Sequence, residues 1–364
     1  MRVTQLIADI NKEVGGPSNS VPAIAKYLNK TIDIELACFK NDIQDKSYVK
    51  SFKSNNPFYF SYELYKYLIF RSNEDNIIHS HGLWLYTNIV PYFIKQKKDV
   101  KFVLSPRGTL SQWALNKSKI KKKIVYNLMF QKKALKSIDC FHATSKIEYD
   151  EIRNFGYRQP VAIIPNGIEK QKIIYNKSNH VSFFGRINDK KGIELLINAF
   201  SDVSNKLDFG LKIFGIKEDE NYYNKIKKMI KNNSRIKLMD PVYGEDKIKS
   251  YQESIFTLMP SFSENFGNIV LESLINGTPA LSTKYAAWDK LEIKNCGFLC
   301  LPTEDSIKEK LLKINSLDKS DLKIMNENSI NYAQTFLWEN ISLDYINLYK
   351  WLNNESSKPK FIFD

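Results

Sequence analysis

Two glutamates that follow a predicted strand are the most informative acids in the sequence. Glu264 and Glu272 lie eight residues apart, and Gly267 and Asn268 between them are typical of a loop that turns into a helix. Carboxylates accept paired hydrogen bonds from vicinal hydroxyl groups, so two acids at this spacing could bind the hydroxyls of one ligand. Backbone N–H groups at the start of the helix, around Phe266, would meet phosphate or sugar oxygens. Spacing alone would favour two solvated surface acids.

Two cations stand upstream of these acids, each next to a glycine. Gly185-Arg186 follows the predicted strand Val181–Phe184, and Lys191-Gly192 opens the next predicted helix. Fixed arginine and lysine side chains can neutralise a diphosphate in place of a metal ion. The sequence contains no Asp-x-Asp motif. Either dipeptide alone would be a weak signal.

The elements that must position these residues follow a βα pattern. Short β-branched runs alternate with longer amphipathic segments, which is typical of parallel sheets. The predicted strands of the first half are Val3–Ile10, Ile32–Phe39, Asn76–Ser80, Lys101–Ser105, Cys140–Thr144 and Val161–Ile164. After a turn signal at residues 165–167 the pattern restarts with Val181–Phe184, Leu211–Phe214, Ile236–Met239, Phe256–Met259, Pro279–Ser282 and Gly297–Leu301. The sequence predicts an α/β protein with two Rossmann-like, doubly wound parallel-sheet domains facing a central cleft. In such sheets ligands bind beyond the carboxyl ends of the strands.

In this order the motifs resemble those of the retaining GT-B glycosyltransferases of family GT4, whose hallmark is a glutamate, seven residues and a second glutamate. The resemblance implies a nucleotide-sugar donor whose diphosphate is held by Arg186 and Lys191. It also implies that Glu264 orients the donor hydroxyls and that Glu272 fixes the ribose. The further donor contacts that it suggests are Gly185, Val242, Asn265, Phe266, Gly267 and Asn268. A UDP-sugar is favoured over a GDP-sugar, but many relatives have glycine where this chain has Asn265, which leaves the sugar open.

Two features of the first half also resemble the family. Gly15-Gly16 precedes a predicted helix and resembles the family's glycine-rich loop, where bare backbone approaches phosphate and acceptor closely. His81 follows the predicted strand Asn76–Ser80, at a place where the family commonly has a histidine close to the reacting sugar. Period-two alternation puts His79 on the same face, deeper in the strand. The resemblance therefore makes His81 a candidate catalytic residue.

The segment Ser105-Pro106-Arg107-Gly108 is similar to the version found in enzymes that assemble bacterial surface polysaccharides, such as O-antigen, capsule or lipopolysaccharide. It places Arg107 and Gly108 on the acceptor side. The resemblance further implies an acceptor-binding domain over residues 1–167, joined by a C-terminal helix at about 338–355 that crosses back onto it. Residues 168–337 would form the nucleotide-sugar-binding domain.

The chain carries a net charge of +14, most of it in the first half. Residues 1–169 contain 26 Lys and Arg against 15 Asp and Glu, whereas residues 170–364 contain 28 against 25. The densest stretch, Lys117–Lys136, has eight lysines, no acid and apolar residues at near-helical spacing. It suits a helix on an anionic membrane surface, and equally a solvated lysine face on a helix packed against the core. No nucleic-acid-binding motif accompanies the charge, so a nucleic-acid partner is not predicted.

Other features predict the compartment. Four scattered cysteines indicate reduced thiols without a zinc site. The first residues include Asp9 and no apolar run of signal-peptide length, and no later stretch is long enough to span a membrane. These features predict a cytoplasmic protein without a metal or other cofactor, and peripheral binding at the inner face of the plasma membrane is left open. The last residues, Ser356–Asp364, are expected to fray.

The predicted activity is retaining, metal-independent transfer of a hexose from a nucleoside diphosphate sugar to a saccharide acceptor. A lipid-diphosphate-linked saccharide is the favoured acceptor. One alternative is a GT-B nucleotide-sugar epimerase, which would turn over the donor alone. Another is a non-catalytic two-lobed protein that binds sugars or nucleotides, a class that is usually exported.

Overall fold

A computed structural model describes residues 1–11, 15–40, 46–72, 76–116, 130–174 and 177–364. The chain separates into two compact units. Unit 1 consists of Met1–Gly167 together with Trp338–Asp364, and unit 2 consists of Ile168–Leu337. Most of the basic stretch Lys117–Lys136, residues 117–129, lies outside the described residues.

Unit 1 is built on an eight-stranded sheet. Its strands are β1 (Arg2–Leu6), β2 (Asp33–Cys38), β3 (Val49–Ser51), β4 (Asn76–His81), β5 (Val100–Ser105), β6 (Cys140–Ala143), β7 (Val161–Ile163) and β14 (Ile362–Phe363). Their order is β3-β2-β1-β4-β5-β6-β7-β14, and neighbours pair in parallel except β7 with β14. The helices of this unit are α1 (Gly16–Leu28), α2 (Tyr62–Arg71), α3 (Val90–Lys95), α4 (Gln112–Asn116), α5 (Gln131–Lys136), α6 (Lys146–Asn154) and α13 (Trp338–Leu352).

Unit 2 is built on a six-stranded parallel sheet. Its strands are β8 (His180–Phe184), β9 (Gly210–Phe214), β10 (Ile236–Met239), β11 (Thr257–Met259), β12 (Ala280–Thr283) and β13 (Gly297–Cys300), in the order β10-β9-β8-β11-β12-β13. Its helices are α7 (Ile193–Val203), α8 (Glu220–Ile230), α9 (Gly244–Glu253), α10 (Asn268–Ile275), α11 (Glu304–Asn315) and α12 (Lys319–Gln334). Across the described parts of both units, no helix has the length and apolar character that crossing a membrane requires.

Both sheets have the strand order of doubly wound folds. The order of successive strands reverses between β1 and β4 in unit 1 and between β8 and β11 in unit 2. At such a switch point the two flanking connections run to opposite sides of the sheet, which opens a crevice at the carboxyl ends of the strands. The residues after β1, β4, β8 and β11 are therefore the ones that each fold presents to a ligand.

All twelve predicted strands are found, and both ends of eleven of them lie within one residue of the prediction. The predicted strand Val3–Ile10 is wrong at its carboxyl end, because β1 stops at Leu6. Two short edge strands were not predicted, β3 and β14. The expectation that Ser356–Asp364 frays is also wrong. Ile362 and Phe363 pair antiparallel with β7, and Ile362 is buried there.

Helix α13 packs into the core of unit 1. Its side chains Trp338, Tyr345 and Tyr349 are almost fully buried, in one apolar cluster with Ile24 and Leu28 of α1. Burial of large aromatic side chains is among the strongest stabilising contributions a helix can make. The apolar face of α13 thus ties the last part of the chain to the first sheet.

Candidate active site

The end of β8 carries two of the predicted cations of unit 2. Gly185 and Arg186 follow the strand, and a short 3-10 helix, Asp189–Lys191, leads into α7. Gly192 caps α7 in the left-handed region, with φ of 66°. A β-carbon at this position would overlap the carbonyl oxygen of Pro260, so glycine lets the segment lie directly against the chain after β11. The two loops of the switch point are therefore in contact.

Lys191 and Glu264 form an ion pair across these two loops. The Lys191 ammonium contacts Glu264 Oε1, and the side chains are only 15% and 12% exposed. Burial raises the pKa of Glu264, but the charge and hydrogen bond of Lys191 outweigh it, so the pKa lies below its usual value. An ionised carboxylate and a cation thus lie side by side, in little contact with water, at the carboxyl end of β11.

Arg186 is held by an acid that the sequence did not single out. Its guanidinium Nη1 lies 3.2 Å from Glu218 Oε1, and the Arg186 side chain is 46% exposed. The Asn188 amide donates to the other oxygen of Glu218. Glu218 follows β9, whose chain pairs with that of β8 through a bridge between Ile187 and Lys217. The only hint in the sequence was its position shortly after the predicted strand Leu211–Phe214.

Glu272 lies on α10, within the first two turns of the helix. Its Oε2 accepts a hydrogen bond of 2.8 Å from the Tyr251 hydroxyl and lies 2.7 Å from the Lys247 ammonium. Tyr251 also packs against Phe184 at the end of β8, with ring centroids 4.1 Å apart. Lys247 and Tyr251 were not predicted; they are four residues apart on one face of α9. One carboxylate oxygen is thus fixed from the protein side, which orients the other.

The start of α10 is held by a buried tryptophan. Gly267 caps the helix with φ of 80°, and the Trp288 indole donates a 2.7 Å hydrogen bond to the carbonyl oxygen of Phe266. Phe266 is buried, whereas Asn265 and Asn268 are half-buried. The indole therefore fixes the loop from which α10 begins, at the site that the sequence predicted for phosphate or sugar oxygens. Val242, one of the predicted donor contacts, is half-buried in the connection from β10 to α9, beside the Phe184 and Tyr251 cluster.

In unit 1, β4 ends on His81, whose ring is buried. His79 lies on the same face, and the two imidazoles stack with centroids 4.4 Å apart. His81 Nε2 contacts the Gln5 side-chain oxygen, and its Nδ1 lies 3.2 and 3.3 Å from Arg107. Burial, followed by the charges of His79 and Arg107, holds the pKa of His81 well below its ordinary value. His81 is thus a neutral imidazole with a partner at each nitrogen.

Arg107 and Gly108 form a strained turn after β5. Arg107 adopts φ of 56°, a conformation that costs about 1 kcal/mol or more for a residue other than glycine. Its Nη1 donates a 2.9 Å hydrogen bond to the Asn166 side-chain oxygen. The Gly108 N–H donates to Glu148 Oε1 at 2.8 Å. The turn is held at both residues, and Arg107 is half-buried there, just after the end of β5.

Glu148 is a further residue that the sequence reading missed. It is fully buried in the first turn of α6 and also accepts the Thr144 N–H at 2.7 Å. One carboxylate therefore joins the loop after β5 to the loop after β6. The sequence signal was available, since Ser145 and Glu148 have the Ser-x-x-Glu spacing of a helix start.

The glycine-rich segment begins α1. Gly15 precedes the helix with φ of 135°, and Gly16 is its exposed first residue. In the described part of the chain, no heavy atom would lie within 4 Å of a β-carbon at Gly15. Among the described residues, no group of three or more His, Cys, Asp or Glu side chains is placed to hold a metal ion.

Comparisons with known proteins give a consistent family. The model of the family described as "Glycosyltransferase Family 4" matches residues 14–172, and that of "Glycosyl transferases group 1" matches residues 166–334. An uncharacterized glycosyltransferase of Methanocaldococcus jannaschii is 25% identical over 319 residues, which are 86% of this chain and 85% of the relative.

Solved structures share the fold of the whole chain. Sucrose-phosphate synthase of Thermosynechococcus elongatus superimposes with a TM-score of 0.77 at 17% identity, covering 98% of this chain and all of that chain. Anabaena HepE in complex with UDP gives a TM-score of 0.73 at 16% identity, covering 96% of this chain and 100% of that one. The paired family matches and the two doubly wound sheets identify the chain as a GT4-like glycosyltransferase with the GT-B fold.

Proposed function

We propose that the protein transfers a hexose from a nucleoside diphosphate sugar to a saccharide acceptor, with retention of anomeric configuration and without a metal ion. The observation that carries the proposal is the ion pair of Lys191 with Glu264 at the carboxyl ends of β8 and β11. A cation for a leaving diphosphate and an acid for sugar hydroxyls stand next to each other there. A fixed cation would stabilise the charge that develops on a leaving diphosphate, and the carboxylate could accept hydrogen bonds from the sugar hydroxyls.

Arg186 and Lys191 would hold the diphosphate. When the anomeric carbon–oxygen bond breaks, negative charge accumulates on the departing phosphate, and cations that are already in place stabilise it without reorganisation. Lys191 is sheltered from water, which strengthens its interaction with that charge. The acceptor hydroxyl oxygen then bonds to the anomeric carbon from the same face, and its proton passes to the leaving phosphate oxygen.

Glu264, with Asn265 beside it, would orient the donor hydroxyls, and Glu272 would accept hydrogen bonds from the ribose. Lys247 and Tyr251 support the second assignment, because both contact Oε2 of Glu272 and so fix the carboxylate that would bind the ribose. Val242 lies where a base could pack. The UDP bound in Anabaena HepE, a protein of the same fold, supports a UDP-sugar as donor.

On the acceptor side, the positive charge of Arg107, a half-buried residue, suits an anionic group. A lipid-diphosphate-linked saccharide offers one, since arginine binds phosphates through paired N–H groups. The resemblance of residues 105–108 to surface-polysaccharide enzymes supports this class of acceptor and a role in O-antigen, capsule or lipopolysaccharide assembly. Such an acceptor would be met at the inner face of the plasma membrane.

Replacement of Lys191 tests the donor assignment. Lys191→Ala should lower kcat for transfer by roughly two to three orders of magnitude, which corresponds to about 3–4 kcal/mol of transition-state stabilisation. Lys237→Ala, at an exposed position on β10 of the same unit, is the control and should keep full activity. Circular dichroism would verify that both variants fold. Undiminished transfer by Lys191→Ala would contradict the assignment of Lys191 to the donor diphosphate.

The substrates can be found in two steps. A panel of UDP- and GDP-sugars is screened by thermal shift, and the stabilising donors are then offered with polyprenyl-diphosphate-linked saccharides. We expect transfer that persists in EDTA and yields the anomeric configuration of the donor. Loss of turnover on chelation would contradict the metal-independent mechanism, and conversion of the donor without any acceptor would favour an epimerase.

A further inference from the structure

A row of buried polar side chains runs through unit 1 beneath Arg107. It comprises six residues from four parallel strands and from α13, each no more than 3% exposed: Gln5, His79, His81, Ser105, His142 and Tyr349. Burying this many polar groups is costly unless each has a partner. Their contacts form one continuous chain.

The hydrogen-bonded series begins at Arg107, which contacts His81 Nδ1. His81 Nε2 contacts the Gln5 side-chain oxygen, and the Gln5 amide nitrogen donates to the Tyr349 hydroxyl at 2.7 Å. The Tyr349 hydroxyl lies 2.8 Å from His79 Nδ1, so a residue of α13 bridges the two halves of the chain.

From His79 the hydrogen-bonded series continues across β5 and β6. His79 Nε2 lies 2.7 Å from Ser105 Oγ, and Ser105 Oγ lies 2.6 Å from His142 Nδ1. His142 Nε2 lies 2.9 Å from the carbonyl oxygen of Ile164 and 3.3 Å from the Tyr345 hydroxyl, which can accept as well as donate.

The two ends of this chain fix the direction of every hydrogen bond in it. The Ile164 carbonyl can only accept, so His142 must carry its proton on Nε2 and accept at Nδ1 from Ser105. Ser105 Oγ then accepts from His79 Nε2, and His79 Nδ1 accepts from the Tyr349 hydroxyl. That hydroxyl accepts from the Gln5 amide nitrogen, and the Gln5 oxygen accepts from His81 Nε2. The series ends with His81 protonated on Nε2 and accepting at Nδ1. Arginine can only donate, and it is the residue found there, so both ends require the same direction.

We propose that His81 is a positioning residue that presents a permanent lone pair at Nδ1 to the guanidinium of Arg107, and that the chain through Tyr349 to Ile164 fixes its tautomer. The inference rests on the proposed acceptor-side role of Arg107. It gives His81 a different task from the sugar contact that the sequence suggested, because both of its ring nitrogens are engaged within unit 1. His81 neither gives up nor takes up a proton in the reaction.

The electrostatics of the row agree with neutral rings. Burial holds the pKa values of His79 and His81 well below the usual range, and it lowers that of His142 to about 3. A second proton on His81 would also turn Nδ1 into a donor that faces the donors of Arg107. The protonated ring is therefore excluded by geometry as well as by burial.

Nitrogen NMR on histidine-labelled protein tests the tautomers directly. The chain has four histidines, so single replacements assign every ring. At neutral pH we expect His79, His81 and His142 to give the spectrum of a neutral ring protonated at Nε2. A ring at position 81 that is protonated at Nδ1 or doubly protonated would overturn the inference. This measurement requires no substrate.

A variant series tests the effect on Arg107. The amide oxygen of His81→Asn can take the place of Nδ1, whereas His81→Leu offers no acceptor. In the unmodified protein and in His81→Asn, the Arg107 Nε–H signal should be protected from exchange with water. In His81→Leu it should be lost, and His180→Asn, a buried histidine of unit 2, should leave it unchanged. Full protection in His81→Leu would refute the positioning role, and the tautomer spectrum decides the matter if that variant does not fold.

Kinetics with a transferring donor and lipid-linked acceptor separate this inference from the proposed function. The KM for the acceptor should rise roughly tenfold or more in His81→Leu and much less in His81→Asn, as expected for a lost hydrogen bond to a charged group. If Arg107→Met leaves that KM unchanged, the acceptor-side role of Arg107 is wrong. If Arg107→Met impairs the enzyme and His81→Leu does not, the positioning role is wrong.

Discussion

At the scale of single residues, three cations of the proposed donor site in unit 2 are each paired with a carboxylate. Arg186 pairs with Glu218, Lys191 with Glu264 and Lys247 with Glu272. A cation sheltered from water is costly unless a negative group lies beside it. If the proposed diphosphate binds to these cations, it must compete with the acids that now pair with them.

The pair of Arg186 with Glu218 should therefore compete with the diphosphate. Glu218→Gln removes the negative charge but keeps the size of the side chain, so we expect UDP to bind more tightly, by roughly two- to fivefold for an exposed ion pair. Titration calorimetry of UDP with both proteins measures the difference. Glu220→Gln, which removes an exposed acid that pairs with Lys217 nearby, is the control. Weaker UDP binding by Glu218→Gln would instead make Glu218 part of the donor site.

At the scale of elements, the close contact of two loops places Lys191 beside Glu264. Gly192 begins α7 against the carbonyl of Pro260, after β11. The position of Lys191 thus depends on the absence of a side chain at the next residue. Because this backbone contact joins the segments that follow β8 and β11, it fixes the position of Lys191 relative to Glu264.

Gly192→Ala should test this contact. It should destabilise the protein by more than the roughly 1 kcal/mol expected for alanine in the left-handed region, because the loops must also separate, and it should weaken UDP binding. Gly244→Ala is the matched control, since Gly244 has φ of 52° and no heavy atom of the described residues would lie within 4 Å of its β-carbon. Urea denaturation and UDP titration of both variants measure the effects. Equal losses in the two variants would show that only the backbone conformation matters.

At the scale of the whole molecule, the buried histidines make stability depend on pH. Burial lowers the pKa of His142 to about 3 and that of His180 to about 4, and it depresses those of His79 and His81. An unfolded chain binds protons at these residues below about pH 6.5, whereas the folded chain does not. Stability therefore falls as the pH drops below that value.

The expected slope reaches about 1.4 kcal/mol per pH unit for each histidine that titrates only in the unfolded chain. Urea denaturation at a series of pH values between about 7 and 5 measures it. In His142→Asn the free energy of unfolding should change less steeply with pH, by the contribution of one histidine, whatever the absolute stability of that variant. A pH-independent stability over this range would contradict the neutral buried rings.

The excess positive charge of the first half leads to a prediction about membranes. Lys119, Lys121, Lys122 and Lys123 fall within the basic stretch but outside the described residues, so this prediction rests on the sequence. Replacing all four with Gln should weaken binding to liposomes that contain anionic lipid, by about 1 kcal/mol per charge near the surface. Transfer to a detergent-solubilised acceptor should be unaffected. The same replacement at Lys227, Lys228, Lys231 and Lys237 of unit 2 is the control, and equal losses would reject a specific role for the stretch.

The sequence by itself determined twelve of the strands, because the alternation of apolar runs and turn residues is a local property. It also brought out Arg186, Lys191, Glu264 and Glu272, whose order along the chain carries the resemblance to the family. Only the tertiary structure decided the partners. Lys191 and Glu264 are 73 residues apart, and His79 and Tyr349 are 270 apart. Contacts between such distant residues depend on strand order, register and helix packing, which no local pattern contains. For the same reason β14 was missed: two residues near the end of a chain form a strand only because β7 offers them an edge.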